Sequence, residues 1–481
     1  MGAKGLGAMA AVACRPRTVA TALCTALVLG TSGCGGSAPS PGVSASATSD
    51  AGSSASGTLA GDAVDSTSDL ARVLPGLDPH APVPTTAGLE AALGPFLARS
   101  GLGPQVMAEV VDVSAGTSVL SRSATTPGTP ASTAKLFTGA AALSALGPQT
   151  TLTTRTVSGT TPDTVVLVGG GDVLLGAGRG DRDEVVGRAG LGDLAEATAA
   201  ALKEQGWLSV SVELDDSLYT GPAKSPHWGS GDVASGYVSP IMALEIDRGS
   251  VGGVVGRQAD PAMSAARTFT ARLRQQGITV SGPVTRGTAP QEAEVLARVE
   301  SATVAELVEY ALTHSDNTIA ETLARSVAVH AGRPGGFDEA GTAVVEEVER
   351  LDVPVENVSL SDGSGLGRDS RATAQALTGL LVAAASESRP ELRSLLTGLP
   401  VAGASGTLAE RFSTASQRPA RGLIRAKTGT LTGVHALAGT VVDADGRLLA
   451  FAFLAPRAGN AAVARSALDS AAAALVGCGC R

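Results

Sequence analysis

Lysine is nearly absent from this chain. Of 36 basic residues in 481, only five are lysines: Lys4, Lys135, Lys203, Lys224 and Lys427. The bias toward Arg, Ala, Gly and Val follows a GC-rich coding style, so scarcity alone says nothing; the positions of the few lysines do. Aromatic residues make up 2% of the chain, and a core has to be assembled from Ala, Val and Leu. The net charge of −9 argues against nucleic acid as a partner, because phosphate binding needs a basic surface. The five histidines are scattered and no HExxH occurs. A GxSxG elbow is missing, which removes support for a Ser-His-Asp hydrolase of that type. The run "GGGDVLLGAGRG" (169–180) fails the GxGxxG spacing and has no phosphate-loop lysine, so its glycines read as turns. Nothing calls for a metal or an organic cofactor: Cys478 and Cys480, one residue apart with no nearby His, make a poor metal site.

The N-terminus reads as an export signal. Lys4, Arg15 and Arg17 precede the apolar run "VATALCTALVLG" (19–30), too short for a permanent membrane span. The following "TSGCGG" resembles a bacterial lipobox, in which Cys34 would carry lipid as the mature N-terminus. Thr31 stands where that pattern has Leu, and an ordinary secretory signal within 1–34 is the other reading. Cys14 and Cys24 would leave with the signal, and Cys478 and Cys480 would either pair in a small ring or stay free.

Residues 35–84 open with a Ser/Ala/Gly/Pro tract nearly free of large apolar side chains, a flexible tether. Leu89, Leu93, Phe96 and Leu97 then recur at helical spacing, and two alternating runs flank Ala115-Gly116 as a hairpin. From 152 to 295 short Val/Leu runs and turn residues predict a β-rich insert with short helices. Helical periodicity returns at 300. Two long strands joined at a type I′ Asp445-Gly446 turn are predicted over 422–456, and a helix over 460–476. The expected fold is α+β, with 85–151 and 296–481 forming one domain from both chain ends.

Two of the five lysines sit in contexts that could do chemistry. In "PASTAKLFT", Ser132 and Lys135 are three apart at a helix start, so both side chains face one way. A serine hydroxyl becomes a nucleophile when a neighbouring base takes its proton, and a desolvated lysine can be that base. SxxK alone is weak: five lysines give one by chance in about half of such chains. In "THSDNTIAE", Ser315 and Asn317 flank Asp316 between two helical runs and could present a hydroxyl and an amide to a cleft, although capping explains such residues equally well. In "RAKTGTLTG", Lys427, Thr428, Gly429 and Thr430 lie on an alternating strand. There the glycine would let a substrate backbone lie against the edge, and K-T-G arises by chance in only about one such chain in twenty.

SxxK, SxN and KTG each occur once, in that order. The combination resembles the penicillin-recognising serine enzymes. The 183 residues from Ser132 to Ser315, together with "LVGGGD", "DDSLYTGPAKSPHW", "SDGSGLGRDSR" and "LPVAGASGTLAERF", resemble the low-molecular-mass class C penicillin-binding proteins, the D-alanyl-D-alanine carboxypeptidase/endopeptidases. That resemblance implies a β-lactamase/transpeptidase-like domain. It also implies an exported enzyme whose partners are peptidoglycan stem peptides and, as covalent inhibitors, β-lactams. Ser132 would attack the penultimate D-Ala carbonyl, Lys135 would take its proton, and Ser315 and Asn317 would complete the catalytic group. Lys427, Thr428, Gly429 and Thr430 would form the side that receives the terminal carboxylate. Trp228, Asp232, Tyr237 and Arg368 would meet the amino-acid end of the stem peptide's side chain. A non-catalytic β-lactam or muropeptide sensor is the rival reading. A β-lactamase is a lesser one, since no E-x-x-L-N stretch is present to activate a deacylating water.

Overall fold

A computed structural model describes residues 77, 78 and 80–481. The expected export signal with Cys34, and nearly all of the expected tether, lie outside the described residues.

Helix α1 (Thr86–Leu97) buries Leu89, Leu93 and Leu97, as the spacing predicts, while Phe96 is only half-buried. The expected hairpin follows as β1 (Met107–Asp112) and β2 (Thr117–Arg122), and a 3-10 turn at Ala131–Ala134 runs into α2 (Lys135–Ala145). The intervening segment holds β3 (Thr151–Ser158), β4 (Thr164–Val168), β5 (Asp172–Leu175), α3 (Leu191–Glu204), β6 (Ser209–Asp215), β7 (Leu244–Ile246), α4 (Pro261–Gln275), β8 (Thr279–Val280), β9 (Thr285–Arg286) and β10 (Val295–Thr303). After it come α5 (Val304–His314), α6 (Asn317–His330), α7 (Phe337–Glu349), α8 (Ala374–Ala385) and the short α9 (Arg393–Thr397). The chain closes with β11 (Ile424–Leu431), β12 (Val434–Val442), β13 (Leu448–Ala455) and α10 (Ala461–Val476).

The first sheet is antiparallel throughout, in the order β11-β12-β13-β1-β2, so the two chain ends build one sheet. Its central strands alternate by size. Ala436, Ala438, Ala450 and Ala452 pack in one apolar cluster with α2 and α8. Leu437, Val441, Phe451 and Phe453 pack in a second with α1 and α10. The alanine face lets α2 approach closely, and nine consecutive residues of α2, Lys135–Leu143, are buried. A helix buried all round belongs in a domain's interior, and it carries Lys135 there.

Four local expectations are corrected. Residues 422–456 form three strands rather than two, with an extra turn at Thr432-Gly433. The Asp445-Gly446 connection is a five-residue loop in which Asp443 Oδ1 accepts the N–H groups of Asp445 and Arg447; only Gly446 of the pair has positive φ, so the turn is not type I′. The segment between the motifs is not merely β-rich: α3 and α4, of 14 and 15 residues, cover a sheet in which β4, β6 and β8 run parallel. Parallel neighbours need long crossovers, and the helices supply them. This sheet, ordered β10-β3-β4-β6-β8, runs on to Thr303, beyond the expected edge at 295. Cys478 and Cys480 are paired as a disulfide.

Candidate active site

Three elements converge on one point. The 3-10 turn before α2 presents Ser132 beside Lys135, and Lys135 Nζ donates to Ser132 Oγ at 3.2 Å. The same ammonium donates to Asn317 Oδ1 at 2.6 Å and to the Ser364 carbonyl at 2.8 Å. Lys135 is buried, and the cost of desolvating its charge pushes it down to about 8 from 10.5, against the opposing pull of Glu321, Asp362 and Asp316.

Between α5 and α6, Asp316 does the capping by accepting the Ile319 N–H, which leaves its neighbours free for other work. Ser315 adopts a left-handed conformation at φ 56°, and its Oγ accepts from Lys427 Nζ at 2.9 Å. Lys427 is fully buried, and burial, with Lys135 and Arg411 nearby, holds its pKa well below the ordinary lysine value. Its Nζ also donates to the Thr428 carbonyl at 3.2 Å. The KTG strand therefore offers only Thr428 and Thr430 to open space, with Lys427 acting from behind.

Gly429 differs from its expected use. A Cβ there would sit 2.5 Å from the Pro130 carbonyl, so the glycine admits the protein's own Ser132 turn rather than a substrate. On another side of that turn, a Cβ on Gly365 would lie 2.0 Å from the Ala131 carbonyl. Ala131 itself has φ 48°, rare for a residue with a side chain. Backbone held in so sparse a region persists where the surroundings over-determine it, and here two glycines do so.

Two buried carboxylates, neither singled out by sequence reasoning, shape the "SDGSGLG" turn. Glu321 accepts the N–H groups of Gly363 and Ser364 at 2.8 and 3.0 Å. Asp362 accepts those of Gly365 and Gly367, and the Trp228 indole Nε1–H at 3.1 Å. Burial raises both carboxyls, Glu321 to about 8. The turn lay within a quoted family stretch; nothing in the sequence marked Glu321.

Trp228, Asp232, Tyr237 and Arg368 line one cavity of 810 Å³ together with Ser132, Asn317 and Thr430. Each is also tied into the protein. Trp228 is buried against Phe337 edge-on, and Asp232 accepts the Gly229 N–H at 2.8 Å. The Tyr237 carbonyl accepts from Asn317 Nδ2 at 2.9 Å, and Arg368 donates to the Thr432 carbonyl at 2.9 Å. A second cavity, of 700 Å³, reaches Ser132 from the side of Ser315, Thr428 and Thr430.

The chain matches the D-Ala-D-Ala carboxypeptidase 3 (S13) family over residues 89–259 and 252–475. It is 37% identical over 412 residues to the carboxypeptidase DacB of Mycolicibacterium smegmatis, covering 84% of this chain and 87% of that one. A carboxypeptidase of Mycobacterium tuberculosis is 38% identical over 418 residues, with 85% and 88% covered. In fold it resembles penicillin binding protein 4 of Haemophilus influenzae, with a TM-score of 0.65 at 23% identity over 81% of this chain and 97% of that one. Family match, fold and the group around Lys135 agree: the chain belongs to the D-Ala-D-Ala carboxypeptidase 3 (S13) family and is a serine-type D-Ala-D-Ala carboxypeptidase.

Proposed function

We propose that the chain is an exported enzyme that trims peptidoglycan stem peptides through a covalent acyl-serine intermediate, and that β-lactams acylate the same serine. Ser132 attacks the carbonyl of the penultimate D-Ala, and Lys135, with its lowered pKa, takes the proton. Ser315, held by Lys427, passes a proton to the departing amine, while Asn317 aligns Lys135 and the peptide. The N–H groups of Ser132 and Thr430 face the growing oxyanion. Thr428 and Thr430 receive the terminal carboxylate in the field of Lys427. Trp228, Asp232, Tyr237 and Arg368 meet the stem peptide's side chain. Residues 85–150 and 304–481 form the catalytic domain and 151–303 an insert, the boundaries following the sheet that holds β3 and β10. Residues 1–34 direct export, through a secretory signal or a lipid on Cys34, and 35–84 tether the enzyme in the wall.

The observation that carries this reading is the pair of buried lysines, each donating to a different serine: Lys135 to Ser132 and Lys427 to Ser315. Desolvating two ammonium groups side by side is costly, and chemistry that needs a lysine base and a fixed hydroxyl accounts for both. The test is D-Ala release from an acyl-D-Ala-D-Ala peptide. Turnover by the wild type and none by Ser132→Ala is expected. A folded wild type that binds the peptide without releasing D-Ala would favour the sensor reading. Release of a cross-linked partner peptide, measured in parallel, would add endopeptidase action.

A further inference from the structure

Ser132 and Thr430 line both cavities of the cleft: the one holding Trp228 and Asp232, and the 700 Å³ one bounded by Ser315, Thr428, Arg411 and Arg465. We propose that the second cavity is a leaving-group subsite in which Arg465, on α10, receives a carboxylate that the departing amine component carries beyond the one next to the scissile amide. This rests on the acyl-serine reading. In that step the Ser132 Oγ–C bond forms, the amide C–N bond breaks, and the Ser132 proton ends on the departing nitrogen. The two halves of the substrate then need two spaces meeting at Ser132. The Trp228 cavity is assigned to the acyl half, which leaves the other for the amine half.

Size and charge point to something larger than D-Ala. A volume of 700 Å³ lies in the range that holds drug-sized ligands, and D-Ala is among the smallest of leaving groups. Three cations stand at this side, and two are engaged. Lys427 Nζ is buried on Ser315 and the Thr428 carbonyl. Arg411 is bound by the buried carboxylate of Asp469 through both Nε and a terminal nitrogen. Arg465 is exposed and makes no hydrogen bond or ion pair among the described residues. Glu410 and Asp469 also line this cavity; neither pairs with Arg465 among the described residues, and Asp469 is taken up by Arg411. An arginine fork matches a carboxylate bidentately. D-Ala brings one carboxylate, placed by Thr428 and Thr430. A second exists only when the amine component is a diacid or a peptide still carrying its own acidic groups, such as the strand freed when a cross-link is cut.

Three peptides with the same acyl half, ending in D-Ala-D-Ala, D-Ala-D-Gln or D-Ala-D-Glu, test this. D-Gln and D-Glu match in shape and differ in the distal charge. The wild type should favour D-Glu over D-Gln in kcat/KM by about fivefold, as for a well-formed exposed ion pair, and the preference should shrink with added salt. Arg465→Gln should bring the ratio to about one, and Arg465→Lys should keep part of it. The ratio within each variant cancels any general loss of activity. A wild-type ratio of one, or a preference that survives in Arg465→Gln, overturns the proposal while leaving the carboxypeptidase reading intact. Failure of the wild type to release D-Ala from the D-Ala-D-Ala peptide would instead overturn the underlying reading, and this proposal with it.

Discussion

The Glu321 carboxylate accepts the main-chain N–H of Ser364 at 3.0 Å, and the carbonyl of the same Ser364 accepts Lys135 Nζ at 2.8 Å. A residue with no direct bond to Lys135 thereby sets where its ammonium points. Glu321→Gln should turn an amide N–H₂ toward one of the two backbone donors, leaving a buried donor unpaired at a cost of about 1–3 kcal/mol. A misplaced catalytic group can cost up to about a hundredfold in rate, so kcat/KM should fall at least about tenfold. An unchanged kcat/KM would show that the turn does not need Glu321.

The pH dependence of acylation follows from Lys135. The base must be neutral, and its folded pKa is about 8. The kcat/KM of acylation should therefore rise with pH, falling about tenfold per unit below that value and levelling above it. A stopped-flow profile from pH 5.5 to 9.5 measures the limb. A limb near the ordinary lysine value would mean that Lys135 is not desolvated, or is not the base.

Stability should run the other way. Glu245 is buried, and burial raises its carboxyl to about 8 from 4.5. Glu321 is raised to about the same value. Between 4.5 and 8 the folded chain binds protons that the unfolded chain has released, so stability is fullest below 4.5 and is lost as pH rises through 8. Glu245→Gln should flatten this slope. Thermal midpoints at pH 5.5 and 8 should differ less in the variant than in the wild type, and equal differences would refute the assignment.

The two glycines beside the Ser132 turn should behave differently. Gly365 sits at φ +75° with its Cβ position 2.0 Å from the Ala131 carbonyl, so Gly365→Ala meets both strain and backbone. It should lower the yield of folded protein. Gly429 does not have a positive φ, and Gly429→Ala meets the Pro130 carbonyl at 2.5 Å. That variant should fold and lose acylation rate, because relief comes from shifting the turn that carries Ser132. Circular dichroism with acylation kinetics separates the two.

Much of this site was legible because its chemistry uses residue types the chain otherwise lacks. Lys135 and Lys427 stood out among five lysines, and the structure brings both to one cleft. Ser315-Asp316-Asn317 was ambiguous with a helix cap, and both readings hold: Asp316 caps α6 while Asn317 meets Lys135. Glu321 was illegible because a buried carboxylate on a helix looks, in sequence, like any solvated face residue. The helices α3 and α4 were under-read although Leu191, Leu194, Ala195, Thr198 and Leu202 keep helical spacing. The many glycines around them, which make the turns at β5 and α3, masked the period. The strand break at Thr432-Gly433 was missed because alternation continues across it, and only pairing shows where the chain reverses.

The most direct test is intact-protein mass after incubation with benzylpenicillin, on the wild type and on Ser132→Ala, followed over hours. A single long-lived adduct on the wild type, absent from the variant, is the expected result. No adduct on either protein, or an adduct that persists in Ser132→Ala, would contradict the acyl-serine mechanism. An adduct that forms on the wild type and clears within minutes would shift the activity toward a β-lactamase.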